Sequence, residues 1–267
     1  MNRHRLLMKA WLGLVLVVLA LPILCMIALS FNRSRYGTLP FHFSLDWYRG
    51  LAGDTALIDA LRTSIELAAE VTVLSVVLGT LLSFGVVRAR PVVSGTLSQL
   101  QLMVLTVPAI ILAAGLLTVF DWFGLGQSTT GLVIASVVTS MPFVVLVVSA
   151  RLRDLDPRYA EASRTLGAGP MRTFATITAP LVAPAIVAGA LLAFVMCFNN
   201  FAIQLFTAPI GVSTLPVQIY SMVRLGVTPD VIALGTIIVC CTVAIIVILH
   251  LVTGSAARVF IRTNKED

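Results

Sequence analysis

Charge is absent from long intervals of this chain. Residues 122–150 and 231–257 contain no Asp, Glu, Lys or Arg, and neither does the 51-residue run from Thr173 to Val223. Apolar residues fill these intervals without the strict alternation of a half-buried strand, so the pattern predicts helices. Six stretches stand out, at about 10–31, 61–87, 97–120, 130–150, 178–205 and 231–252. Each reaches the roughly 20 residues with which an α-helix crosses a hydrocarbon layer about 30 Å thick. The longest charge-free run cannot be one helix. "TAPIGVSTLP", residues 207–216, divides it, because Gly, Pro, Ser and Thr cluster there as loop punctuation. After it, Pro216 to Gly226 reads as a short helix with proline in its first turn.

Composition agrees with the pattern. The chain is 58% hydrophobic and 11% charged, against about 25% charged residues in an ordinary soluble domain. Within a bilayer the backbone must satisfy its own hydrogen bonds, which without barrel-like alternation leaves helices. The predicted fold class is an all-α membrane protein of six transmembrane helices, forming a single domain over residues 1–267. Arg3, Arg5 and Lys9 before the first apolar run resemble the start of a signal peptide. That run is about 22 residues, longer than the 7–15 of a signal segment, and no A-x-A site follows it, so an uncleaved first helix is expected.

Charge then sets the orientation. Thirteen of the 18 basic residues fall on one side: Arg3, Arg5, Lys9, Arg88, Arg90, Arg151, Arg153, Arg158, Arg164, Arg172, Arg258, Arg262 and Lys265. Arg33, Arg35, Arg49, Arg62 and Arg224 fall on the other. Short loops rich in Lys and Arg stay in the cytoplasm, so both termini and the loop 151–177 are expected there. The net charge of +6 is dispersed over these segments with no aromatic platform among them, and it predicts no nucleic-acid partner.

Catalytic and metal-binding sets are missing from the sequence. His4, His42 and His250 lie far apart, and no H-E-x-x-H or G-x-S-x-G occurs. Cys25, Cys197, Cys240 and Cys241 fall in predicted spans without C-x-x-C spacing, as apolar packing residues do. No lysine occurs between Lys9 and Lys265, which excludes a phosphate-binding loop. The expectation is no catalytic residue, no metal and no cofactor.

The polar interval is "LRDLDPRYAEASRTLGAGPMRTFATITAP". Asp156 followed by Pro157 forms a helix start, Gly167 a helix end, and Gly169-Pro170 restarts the chain into the fifth span. Tyr159, Ala162, Ser163 and Leu166 recur at three- and four-residue spacing, ringed by Arg158, Glu161, Arg164 and Thr165. Such a helix can dock in a protein groove or lie on the lipid surface as a connector.

This stretch resembles the "EAA loop" of ABC-importer permease subunits, whose pattern is E-A-A, three residues, G, nine residues, then I-x-L-P. Glu161, Ala162 and Ser163 stand at E-A-A, Gly167 follows, and Ile177-Thr178-Ala179-Pro180 closes the pattern. Ser163 replaces the second alanine and Ala179 the leucine. "SFNRSRYG", "LDWYRGL", "MPFVVLVVSARL" and "LPVQIYSMVRLGVTPDVIALGTI" resemble the second permease of spermidine/putrescine-type importers. The resemblance implies the type I importer permease fold and a coupling helix seated in a cleft of a cytoplasmic ATPase. Glu161, Ala162, Ser163, Leu166 and Gly167 would carry that role, Gly167 through a left-handed turn. It also implies a second, similar permease, two ATPase subunits, a periplasmic substrate-binding protein and a bacterial inner-membrane location.

Polar groups inside spans face partners or water. "CFNNFAIQ" places Asn199, Asn200 and Gln204 in the fifth span, with Asn200 and Gln204 one turn apart and Phe198, Phe201 and Phe206 as apolar gate elements. Two readings fit, a wall of the translocation path or hydrogen bonding between helices. Polyamine permeases are expected to carry acidic residues about where this chain has Asn199 and Asn200, so the resemblance implies a small polar solute that is polyamine-like or related, such as a phosphonate or opine. Arg62 and Glu66 form an i,i+4 pair, which leaves Glu70 for a contact with the second permease. A self-contained secondary transporter or channel is the alternative, with Glu66 and Glu70 its only intramembrane ion ligands.

Overall fold

The computed structural model describes residues 2–34, 41–226, 228–240 and 243. Its helices are, in chain order, α1 (Asn2–Ser30), α2 (Asp46–Gly53), α3 (Thr55–Arg88), α4 (Pro91–Thr106), α5 (Ala109–Trp122), α6 (Thr129–Arg153), α7 (Pro157–Thr165) and α8 (Pro170–Thr173). A π-helical turn (Phe174–Thr178) leads into α9 (Ala179–Phe198), followed by α10 (Phe201–Thr207) and α11 (Leu215–Leu225). One further apolar helix, α12, covers Pro229–Cys240. Among the described residues the sole strand-like feature is a bridge between Asn32 and Phe43. The architecture of the described residues is all-helical, as the apolar pattern of a membrane protein requires.

Four helical segments are long and apolar enough to cross a membrane: Trp11–Ser30, Thr55–Arg88, Thr129–Arg153 and Pro170–Phe198. A fifth arises if α4 and α5 are one bent span. The predicted sixth stretch, 231–252, begins in α12, and beyond Cys240 it lies outside the described residues except for residue 243.

Two of the six predicted stretches are interrupted. Residues 97–120 are not a continuous helix, since α4 and α5 meet at an angle of 110°. Pro108 causes the break, because proline disfavours the helical conformation in the residue before it, and Val107 is extended at φ −70, ψ 132. Residues 178–205 break at Asn199 and Asn200, between α9 and α10. Asn200 (φ −83, ψ 69) caps α10 by accepting a hydrogen bond from the Ile203 amide at 3.4 Å. A capping side chain offers the backbone an alternative to continuing the helix.

The chain forms two compact units, residues 1–55 with 219–267, and residues 56–218. In the first, Phe31 at the end of α1 stacks on both Phe43 (5.6 Å) and Tyr48 (5.2 Å). The Trp47 indole donates to the Asn32 carbonyl at 2.9 Å, and the Asn32 side chain accepts from the Ser34 and His42 amides. The segment after α1 is thus tied back to the end of that helix, while the apolar flank of α1 stays exposed along Trp11–Ser30.

In the second unit the core is built on α6, which contributes Leu132, Val133 and Val137 to one cluster, Ala135 to another and Val144 and Val148 to a third. Val144 is the tightest point. A Cβ at Gly79 of α3 would lie 3.0 Å from Val144 Cβ, and one at Gly189 of α9 would lie 3.2 Å from Val144 Cα. Lipid supplies no hydrophobic drive for helix association, so small residues that let backbones approach closely do much of the packing. α3 has 34 residues and, at 1.5 Å per residue, is about 50 Å long, well beyond the thickness of a bilayer core.

Candidate functional site

The arginine-rich end of the second unit carries α7. Asp156 accepts a hydrogen bond from the Arg158 amide at 2.9 Å and Pro157 occupies the first turn, as expected of that dipeptide. At the other end, the Gly167 amide donates to the Arg164 carbonyl (2.9 Å) and the Ala168 amide to the Ser163 carbonyl (3.1 Å). This pair of bonds is a Schellman closure, and Gly167 sits at φ +79. A Cβ at Gly167 would meet nothing within 4 Å, so the demand for glycine is conformational and not steric.

One side of α7 is held by the chain. Ser163 and Thr173 are buried, and their hydroxyls pair at 2.9 Å, fastening α7 to α8. Below them Phe174 packs edge-on against Phe84 of α3 at 5.2 Å, and the Arg88 guanidinium lies over the Phe84 ring at 5.5 Å. Arg151 Nε donates to the Leu181 carbonyl at 3.2 Å, joining the ends of α6 and α9. A cavity of about 150 Å³ remains beneath α7, lined in part by Phe84, Arg88, Leu155, Tyr159 and Ile177.

Much of the rest of the helix is open among the described residues. Tyr159 is 57% exposed and Leu166 87% exposed, with Glu161, Ala162 and Met171 of α8 also exposed. The apolar ridge read from spacing therefore divides: Ser163 is buried against Thr173, Ala162 and Leu166 are exposed, and Tyr159, though partly open to solvent, borders the cavity beneath the helix. Thr173, Phe174, Phe84 and Arg88, which hold the helix in place, were missed by sequence reasoning. The signal for Ser163 was its departure from alanine in the E-A-A pattern, which a second hydroxyl ten residues on matches.

The structure separates the fifth-span residues. Asn199 is exposed, and its amide donates to the Val195 carbonyl of its own helix at 2.9 Å. Asn200 donates to Thr139 Oγ1 of α6 at 3.1 Å. Gln204 is fully buried, donating to the Cys197 carbonyl (2.7 Å) and accepting from Thr214 Oγ1 (2.6 Å). Next to Thr214, the Leu215 amide donates to Ser64 Oγ of α3 at 2.7 Å. Gln204 thus belongs to a network joining α10 and the loop before α11, and Asn200 bridges to α6. Phe198 stacks on Phe194 at 6.1 Å, and Phe198 and Phe201 are half-buried. Arg62 donates to Glu66 at 2.8 Å, both exposed, and Glu70 stands exposed one turn further on.

A model of the family "binding-protein-dependent transport system inner membrane component" matches residues 75–259, a range that includes α7 and its turn. The chain belongs to this family. It is 32% identical over 245 residues to the spermidine/putrescine transport system permease protein PotC of Haemophilus influenzae, covering 92% of this chain and 95% of that one. It is 34% identical over 226 residues to the putrescine transport system permease protein PotI of Escherichia coli K12, covering 81% and 80%. The fold is similar to that in the crystal structure of a bacterial ABC transporter involved in the import of the acidic polysaccharide alginate. There the TM-score is 0.72 at 16% identity, over 94% of this chain and 96% of that one. As a family member the chain is a membrane transport permease and not an enzyme; in such transporters ATP hydrolysis sits in partner subunits.

Proposed function

We propose that the chain is one of two similar permease subunits in an ATP-driven importer of the bacterial inner membrane, assembled with two ATPase subunits and a periplasmic binding protein. Six spans form one transmembrane domain: α1, α3, bent α4–α5, α6, the run from α8 through α10, and the segment beginning with α12. The positive-inside bias puts both termini and the loop 151–177 in the cytoplasm. There α7 is the coupling helix, presenting Glu161, Ala162 and Leu166 to an ATPase, while Ser163 and Gly167 fix its pose.

The observation that carries this reading is the two-sided character of α7. The helix is fastened at Ser163–Thr173 and closed by Gly167, yet it leaves Glu161, Ala162 and Leu166 exposed, Leu166 at 87%. A connector lying on the lipid surface would present a face of bulky apolar anchors, whereas α7 carries the small residues Ala160, Ala162 and Ser163, which favour close packing against another protein. ATPase closure transmitted through this rigid helix would rock α9 and α3 through Phe174 and Phe84.

The solute is a small polar compound. Polyamines are the first class to test, because the relatives named above are polyamine permeases; phosphonates and opines follow, since Asn199 and Asn200 supply amides where an ammonium would favour carboxylates. Asn199 lines the path, with Phe198 and Phe201 as its apolar neighbours, and Asn200 and Gln204 hold that wall in shape.

The test is co-purification of the ATPase with the tagged permease pair. Leu166→Asp, which places charge in the contact, is expected to lower ATPase recovery about tenfold, as removal of an interface anchor does. Gly167→Val, which distorts the pose, should act in the same direction. ATPase recovery unchanged in both variants would mean that α7 is not the contact.

A further inference from the structure

A second cavity, of about 220 Å³, lies between α4 and α6 and has no part in the coupling site. Ser98 and Gln101 of α4 and Ser149 and Arg153 of α6 line it, together with Leu102, Leu105 and Leu146. Ser149 is only 7% exposed, and among the described residues its hydroxyl has no hydrogen-bond partner; neither has the buried Gln101 Nε2. Buried polar atoms of this kind are nearly always paired, so two orphans lining one cavity leave a place for a partner from outside the chain.

The chemistry of that ligand follows from the groups. Gln101 Nε2, the Ser149 and Ser98 hydroxyls and the Arg153 guanidinium are all donors, and Arg153 brings a full positive charge. Such a set suits an oxyanion and repels a cationic solute. The polar residues lie where α6 ends in Arg151 and Arg153, the level at which lipid headgroups sit. Leu102, Leu105 and Leu146, each exposed, continue the groove away from that end with apolar surface. Basic pockets between transmembrane helices at this level bind acidic lipid headgroups.

We propose that the α4–α6 cavity holds an anionic phospholipid, its headgroup phosphate at Gln101, Ser149 and Arg153 and an acyl chain along Leu102, Leu105 and Leu146. The assignment to the cytoplasmic leaflet rests on the orientation proposed above; the binding itself does not.

Native mass spectrometry of the full-length chain in mild detergent tests it, with phosphatidylglycerol, phosphatidylcholine or inorganic phosphate added separately. Phosphatidylglycerol is expected to be retained in preference to phosphatidylcholine. Arg153→Gln removes a charge-assisted hydrogen bond to the headgroup and should weaken that retention about tenfold or more. Arg90→Gln removes the same charge away from the cavity and should leave retention within about twofold, since it lacks that contact. Ser149→Val should also weaken retention, and because Arg153 is exposed, Arg153→Gln gives a reading even if Ser149→Val does not fold. Equal loss in Arg90→Gln, or equal retention of phosphatidylcholine, would overturn the site. Binding of inorganic phosphate with the same dependence on Arg153, and displacement of the lipid by it, would overturn the lipid assignment in favour of a free oxyanion. No ATPase takes part in this readout, so its failure leaves the importer reading untouched.

Discussion

Ser163 and Thr173 show how a departure from the E-A-A pattern is accommodated. A serine on the buried side of a short helix would leave a hydroxyl unpaired, and the threonine ten residues on supplies its partner at 2.9 Å. Removing either one strands the other in a buried place, which costs about 1–2 kcal/mol, whereas replacing both leaves nothing stranded. Ser163→Ala and Thr173→Val should each lower the thermal midpoint of the detergent-solubilised protein, and the double variant should lose less than the two single losses added. Strict additivity would mean that the hydroxyls do not depend on each other. Asp156 and Gly167 were legible in the sequence because capping and turn chemistry are local, whereas Ser163 read as part of an exposed ridge and its pairing with Thr173 was not legible. Gln204 was legible only as a polar residue in a span: its partners Cys197 and Thr214 lie on the far sides of a helix break and a loop, and no spacing rule reaches them.

Among the elements, the breaks are the informative errors. Hydropathy averages over a window, so Pro108 disappeared into an apolar run although its effect on Val107 is a local rule. Asn199 and Asn200 were read as side chains on a continuous helix, whereas Asn200 caps a new one and turns its amide to Thr139. The packing of α3, α6 and α9 was not legible at all, because nothing in sequence says which glycine faces which valine. That packing makes a prediction of its own. Gly189→Val places a branched side chain against the α6 backbone at Val144 and should destabilise by about 1–3 kcal/mol or more, the usual cost of overpacking. Gly85→Ala, in α3 with no atom within 4 Å of its Cβ position, should be neutral or slightly stabilising. A melt in which Gly189→Val matches wild type would mean that α9 does not approach α6 so closely.

For the whole molecule, the division of labour follows from what the chain contains. Its long apolar helices provide passage, its sequence has no phosphate-binding loop, and α7 is the feature through which a separate ATPase could act on α3 and α9. A self-contained transporter would instead need an ion or proton relay, and Glu66 is already paired with Arg62. In the proposed mechanism, coupling through α7 would make uptake depend on every partner at once. The most direct test is solute uptake in liposomes holding the permease pair and its ATPase, with the binding protein supplied outside and polyamine, phosphonate and opine tried in turn. The account predicts accumulation only with ATP and binding protein together, abolished by Leu166→Asp in this chain while the permease pair still assembles. Accumulation by this chain alone, driven by an ion gradient without ATPase, would contradict it.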